Sequence, residues 1–71
     1  MSTLDIIVQR FGVMLTVQDA ADVFRTSVQS LRMQLARENN LGEALNKIKI
    51  KKDRRILFPA TGVARIIDGT D

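Results

Sequence analysis

Five cations, Lys49, Lys51, Lys52, Arg54 and Arg55, crowd one seven-residue stretch of this chain. Neutralising a polyanion is the chemistry such a cluster does best, since each lysine or arginine set against a phosphate releases a condensed counterion. Upstream, the stretch from Ser27 to Arg37 holds side chains able to address a base pair. Gln29 can pair in bidentate fashion with adenine, Met33 can touch a thymine methyl, and Arg32 can read guanine. Arg32 and Arg37 also suit phosphates, Ser30 can donate or accept, and Ser27 at a helix start can present backbone N–H groups to a phosphate. Catalysis has no comparable inventory. The chain contains no Cys and no His, so a nucleophile–histidine triad, a zinc hydroxide and a disulfide all lack their parts. Asp19 and Asp22 are carboxylates at i, i+3 spacing, but they fall at a helix start, where capping accounts for them. No glycine-rich phosphate loop occurs. The expectation is a protein with no enzymatic activity, metal, cofactor or small-molecule substrate.

Those side chains need a frame, and the chain is short. Seventy-one residues suffice for one domain, spanning 1–71, which buries about 60% of the surface its unfolded form exposes. The net charge of +3 is unevenly spread. Residues 25–58 carry nine basic groups against Glu38, Glu43 and Asp53, whereas both ends are mildly acidic. A basic middle of this kind predicts one surface turned to a polyanion. No apolar run approaches the roughly 20 residues that cross a bilayer. A cytoplasmic, nucleoid-associated location and no membrane partner are expected.

Residues 2–12 read as a helix. Ser2 and Asp5 have capping-box spacing, Leu4, Ile7, Val8 and Phe11 form its apolar stripe, and Gly12 can end it. Val13-Met14-Leu15 is a short extended link. Thr16 opens a second helix over 16–25, with Asp19 at its positive end and Ala20, Val23 and Phe24 facing inward. Arg25-Thr26 is the break. Ser27 caps a third helix over 27–38, with Val28, Leu31 and Leu35 as the buried stripe and Gln29, Ser30 and Met33 on the outer face. Leu41 to Leu45 can add one turn, capped by Asn40 with Glu43 three residues on. From Lys47 the period changes to strict alternation. This predicts a hairpin over 47–58, with Ile48 and Ile50 inward, Lys49 and Lys51 outward, and Lys52-Asp53-Arg54 as the turn. A lysine-blunted edge strand accounts for Lys49 and Lys51 but not for the arginines clustered at the tip. Residues 60–67 read as a closing helix with Val63, Ile66 and Ile67 inward, which Gly62 weakens by about 1 kcal/mol relative to Ala.

The order is helix, helix, helix, basic hairpin, short helix: an α+β, mostly helical chain. It reads as a winged helix-turn-helix with a two-stranded basic wing and an added N-terminal helix. The stretch Leu15-Thr16-Val17-Gln18-Asp19-Ala20-Ala21-Asp22-Val23-Phe24-Arg25-Thr26-Ser27-Val28-Gln29-Ser30-Leu31-Arg32 resembles the helix-turn-helix of excisionases and MerR-like regulators, which typically read L-T-x-x-E-A-A-x-x-L-x-V-S-x-x-T-L-R. Arg54-Arg55-Ile56-Leu57-Phe58 and Val63-Ala64-Arg65-Ile66-Ile67 look like the second wing strand and closing helix of phage excisionases, extending the similarity over residues 14–68. Arg25 stands where that family usually has Gly, and Leu41 to Lys47 lengthens the path to the wing. The resemblance implies sequence-specific binding of double-stranded DNA by a recombination directionality factor or transcription regulator of a phage or other mobile element. An integrase, or another copy on adjacent sites, would be its protein partner. The alternative is a protein-interaction module such as an antirepressor, which keeps the winged fold and uses its N-terminal helix on a partner. Single-strand or RNA binding is disfavoured, since all three phenylalanines fall on inward stripes.

Overall fold

Three helices of this chain begin in the same way. Ser2, Thr16 and Ser27 each take extended backbone, and each hydroxyl accepts from the amide three residues on: Asp5 at 3.1 Å, Asp19 at 3.1 Å and Ser30 at 3.0 Å. For the first two, the carboxylate reaches back to the cap's own N–H, closing a capping box. Each such cap stabilises its helix by about 1 kcal/mol. The computed structural model describes residues 2–69. Its helices are α1 (Thr3–Phe11), α2 (Val17–Val23), α3 (Val28–Arg37), α4 (Leu41–Ile48) and α5 (Ala60–Asp68), and its strands β1 (Met14–Leu15), β2 (Ile50–Lys52) and β3 (Arg55–Pro59).

The turn from α2 to α3 is a Schellman closure. The Thr26 N–H donates to the Ala21 carbonyl at 2.9 Å and the Arg25 N–H to that of Asp22 at 3.2 Å. Arg25 takes the left-handed position with φ +55°, the place where glycine usually sits. The same pair of bonds ends α3, with Glu38 left-handed and Asn39 donating to Gln34.

The extended link is a strand. Leu15 of β1 pairs with Phe58, and Met14 with Pro59, both antiparallel. On its other side β3 pairs with β2, matching Ile50 with Leu57, Lys51 with Ile56 and Lys52 with Arg55. The sheet therefore has three antiparallel strands in the order β1-β3-β2, not the isolated two-stranded ribbon expected from the sequence. The turn is Asp53-Arg54, tighter than the three residues expected, with Asp53 at φ +56°.

The hairpin also starts later than residue 47. Leu41, Ala44, Leu45 and Ile48 keep helical spacing, so α4 runs through Lys47 and Ile48, and Lys49 is its C-cap. Asn40 makes no side-chain cap bond, because its backbone (φ +49°, ψ −127°) departs from the extended form a capping side chain requires. Register reverses the expected facing of β2. Lys51 lies opposite Ile56, two residues from the buried Phe58 and hence on the same face, while Ile50 falls on the other face and is exposed.

Leu15, Leu31, Leu45, Phe58 and Val63 are fully buried, one each from β1, α3, α4, β3 and α5; Ile7 of α1, Ala20 and Ala21 of α2, and Ala60 and Ala64 of α5 complete the core. Only β2 contributes nothing to it. Two expected inward residues, Val8 and Ile67, are exposed instead, since α1 and α5 pack through Ile7 and through Val63 and Ala64. Glycine permits two close approaches. A Cβ on Gly42 would sit 1.9 Å from the backbone oxygen of Gln34, so α4 lies backbone to backbone on α3. A Cβ on Gly62 would meet the Ile48 side chain at 2.7 Å. That contact explains why a poor helix former occupies α5. The Asn46 Nδ2 donates to the Leu35 carbonyl at 2.9 Å, tying α4 to the last turn of α3. Among the described residues no helix is long and apolar enough to cross a membrane.

Candidate nucleic-acid interface

α3 is positioned from within by Leu31, fully buried, and by Val28 and Leu35, half-buried. The helical period then fixes what faces out. Gln29, Arg32, Met33, Ala36 and Arg37 fall at i, i+3, i+4, i+7 and i+8, and every one of them is exposed. Ten residues give this stripe a length of about 15 Å, enough to lie in a groove some 12 Å wide. Ser30 sits off the stripe. It is half-buried and its Oγ accepts from the Gln34 side chain at 3.4 Å. Ser27 remains exposed, with its hydroxyl engaged as the N-cap.

The hairpin cations Lys51, Lys52, Arg54 and Arg55 are exposed, as is Lys49 at the α4–β2 joint rather than on a strand. β3 runs beside the start of α2, and between them opens a cleft of about 320 Å³. Arg54 and Arg55 from the hairpin, Arg32 from α3, and Thr16, Val17 and Gln18 from α2 line it, together with Ile56 and Leu57. Three arginines from two distant stretches of sequence thus converge on one surface. Thr16 and Gln18 join them, although Thr16 reads from sequence as a cap alone and Gln18 gives no signal there beyond being polar at an outward helix position.

Electrostatically the cluster is uncompensated. Among the described residues the one ion pair is Lys47 with Glu43, at 4.0 Å and well exposed. Within that range, the arginines of the cleft and the lysines of the hairpin therefore have no carboxylate holding them. Such a surface can take up phosphates without first breaking internal pairs, whereas desolvated buried cations could not. Among the described residues no three carboxylates gather into a metal-binding group. Compared with known protein families, with characterised proteins and with solved structures, the chain matches none.

Proposed function

We propose that this chain is a winged helix-turn-helix protein that binds double-stranded DNA, with α3 in the major groove and the β2–β3 hairpin as a wing on the backbone or in the adjacent minor groove. One observation carries this: Arg32 of α3 and Arg54 and Arg55 of the hairpin line a single cleft, with no carboxylate among the described residues paired to any of them. Gln29 and Met33 read bases from the exposed stripe, Arg32 and Arg37 flank them, and Ser27, Lys49, Lys51 and Lys52 add backbone contacts. Ser30, half-buried and bonded to Gln34, makes at most a rim contact. The element order helix, strand, three helices, hairpin, helix supports the winged reading, as does the strand order β1-β3-β2. Arg25, left-handed where excisionases and MerR-like regulators usually carry Gly, supports the resemblance to that family. In that reading the protein serves a mobile element as excision factor or transcription regulator, beside an integrase or further copies on adjacent sites.

The test is fluorescence anisotropy on labelled duplex, single strand and RNA over a salt series. Duplex should bind tightest. Arg54→Ala with Arg55→Ala should weaken duplex binding about equally for all sequences and leave the melting temperature unchanged. The slope of log K against log salt should fall by about 0.9 for every phosphate that the variant no longer neutralises. A double variant with wild-type affinity and slope would overturn the proposal.

A further inference from the structure

We propose that the groove between α4 and α5 is a docking site for an acidic, apolar segment of a partner protein. At about 500 Å³ it is roomier than the basic cleft. Ala44 and Ile48 line it from α4, Pro59 from the end of β3, and Gly62 and Ile66 from α5. All five are buried or half-buried, so the floor is apolar and packed before anything binds. Helical spacing explains why these residues gather here. Gly42 and Asn46, four apart, turn towards α3, through the backbone approach at Gly42 and the Asn46–Leu35 bond. Ala44 and Ile48, also four apart, therefore point to the opposite side of the helix, where Ile48 meets Gly62. α4 thus separates the groove from α3, and the groove shares no residue with the basic cleft. An occupant seated here leaves the α3 stripe and the hairpin uncovered.

Charge selects the occupant. Among the described residues, Lys47 and Arg65 are the charged side chains lining the groove, both exposed at its rim, and no carboxylate lines it. Glu43 reaches Lys47 from outside the groove at 4.0 Å, in an exposed pair that contributes little and is readily exchanged. α5 also begins at this groove. Pro59 gives its N-terminus no side-chain cap, so the amides of the first turn add positive potential to that of the two cations. The occupant must therefore bring anions and an apolar surface together. A duplex brings phosphates but no projecting apolar side chain to fill the hollow. A second copy carries the same net charge of +3 and meets the rim with like sign. A peptide segment with large apolar anchors between Asp or Glu residues supplies both, the anchors resting on Ile48 and Ile66 and the carboxylates meeting Lys47 and Arg65.

The experiment is fluorescence anisotropy of the full chain without nucleic acid, so its outcome stands apart from the DNA-binding proposal. The probe is a fluorescein-labelled peptide of about eleven residues, three helical turns, with leucines on one face and glutamates on the other. It should bind with a dissociation constant on the order of 10–100 μM. The same peptide with lysine for glutamate, or with serine for leucine, should bind roughly tenfold more weakly or worse. Lys47→Glu with Arg65→Glu changes two exposed residues and should keep the wild-type circular dichroism. It should weaken the glutamate peptide roughly tenfold or more and take up the lysine peptide in its place. Arg54→Ala with Arg55→Ala should bind the glutamate peptide as the wild type does. A glutamate peptide that does not bind, binds without its leucines, survives the groove variant or is lost with the cleft variant would overturn the proposal. So would displacement of the peptide by unlabelled duplex, which would give the groove to nucleic acid, or a wild-type dimer in sedimentation that the groove variant dissociates, which would give it to a second copy.

Discussion

Substituting Gly42 by Ala adds one methyl group where α3 and α4 touch, and the expected cost can be worked from geometry. The new Cβ would lie 1.9 Å from the Gln34 carbonyl oxygen, 2.2 Å from its carbon and 2.6 Å from the Leu35 nitrogen. All three are backbone atoms, so no rotamer change relieves the clash. Ordinary contact begins near 3.4 Å, so the two helices must separate by roughly 1.5 Å. Overpacking costs about 1–3 kcal/mol, and a clash with helix backbone belongs at the top of that range. The better helix preference of Ala returns at most about 1 kcal/mol, leaving a net penalty of about 2 kcal/mol. A domain this small has roughly 4–10 kcal/mol in all, and each kcal/mol moves its melting temperature by about 4–8 °C. Gly42→Ala should therefore melt about 8–16 °C below wild type. Gly62→Ala is the control. Its Cβ meets only the Ile48 side chain: Cδ1 at 2.7 Å can swing aside, while Cγ2 at 3.0 Å and Cβ at 3.1 Å must give by a few tenths of an ångström, so after the gain in helix preference the net cost should stay within about 1 kcal/mol. Thermal melts by circular dichroism at matched concentration decide the matter. A Gly42→Ala protein melting with the wild type, or two substitutions of equal effect, would refute the backbone-to-backbone contact.

The outer and inner faces of α3, and the turn before it, can be probed in the same way. Gln29→Ala should leave the melt unchanged and cost about 1–3 kcal/mol at one base pair of a selected site, read by footprinting, with non-specific affinity intact. Leu31→Ala should do the reverse, destabilising the fold by about 2–5 kcal/mol through a cavity opened in the core; a silent Leu31→Ala or an unfolded Gln29→Ala would show the helix faces misassigned. Arg25→Gly relieves a left-handed residue strained by about 1–2 kcal/mol, against a glycine entropy cost of about 0.5–1 kcal/mol. It should raise the urea midpoint modestly, whereas Arg25→Ala should not, and a midpoint lowered by glycine would count against the turn geometry.

Local signals made the first half of the fold legible. The Ser2–Asp5 and Thr16–Asp19 spacings mark helix starts through bonds within four residues, and Ser27 with its Val28-Leu31-Leu35 stripe does the same for α3. Non-local contacts were not legible. Val13-Met14-Leu15 is too short to show a period, and it becomes a strand only because Phe58 lies opposite Leu15. Around Ile48 two periods overlap, alternation forward to Ile50 and helical spacing back to Leu41, and packing of Ile48 on Gly62 settles it for the helix. Gly62 itself looks like a defect until α4 lies against it. In the candidate site the outward stripe of α3 was legible from periodicity. The convergence of Arg32 with Arg54 and Arg55, and the part played by Thr16 and Gln18, depend on how the hairpin folds back across α2, which no local pattern encodes.

β3 is gripped along two different stretches: by β2 over Arg55–Leu57 and by β1 over Phe58 and Pro59. A one-residue slip of the hairpin would invert the faces of the whole strand and turn Phe58 out of the core, so β1 acts as an anchor for pairing it does not itself join. The consequence is a division of labour along the hairpin. Residues 51–55 are all exposed and lie beyond the anchored segment, so their identity can be rewritten, in charge or in length of side chain, with the frame beneath left standing.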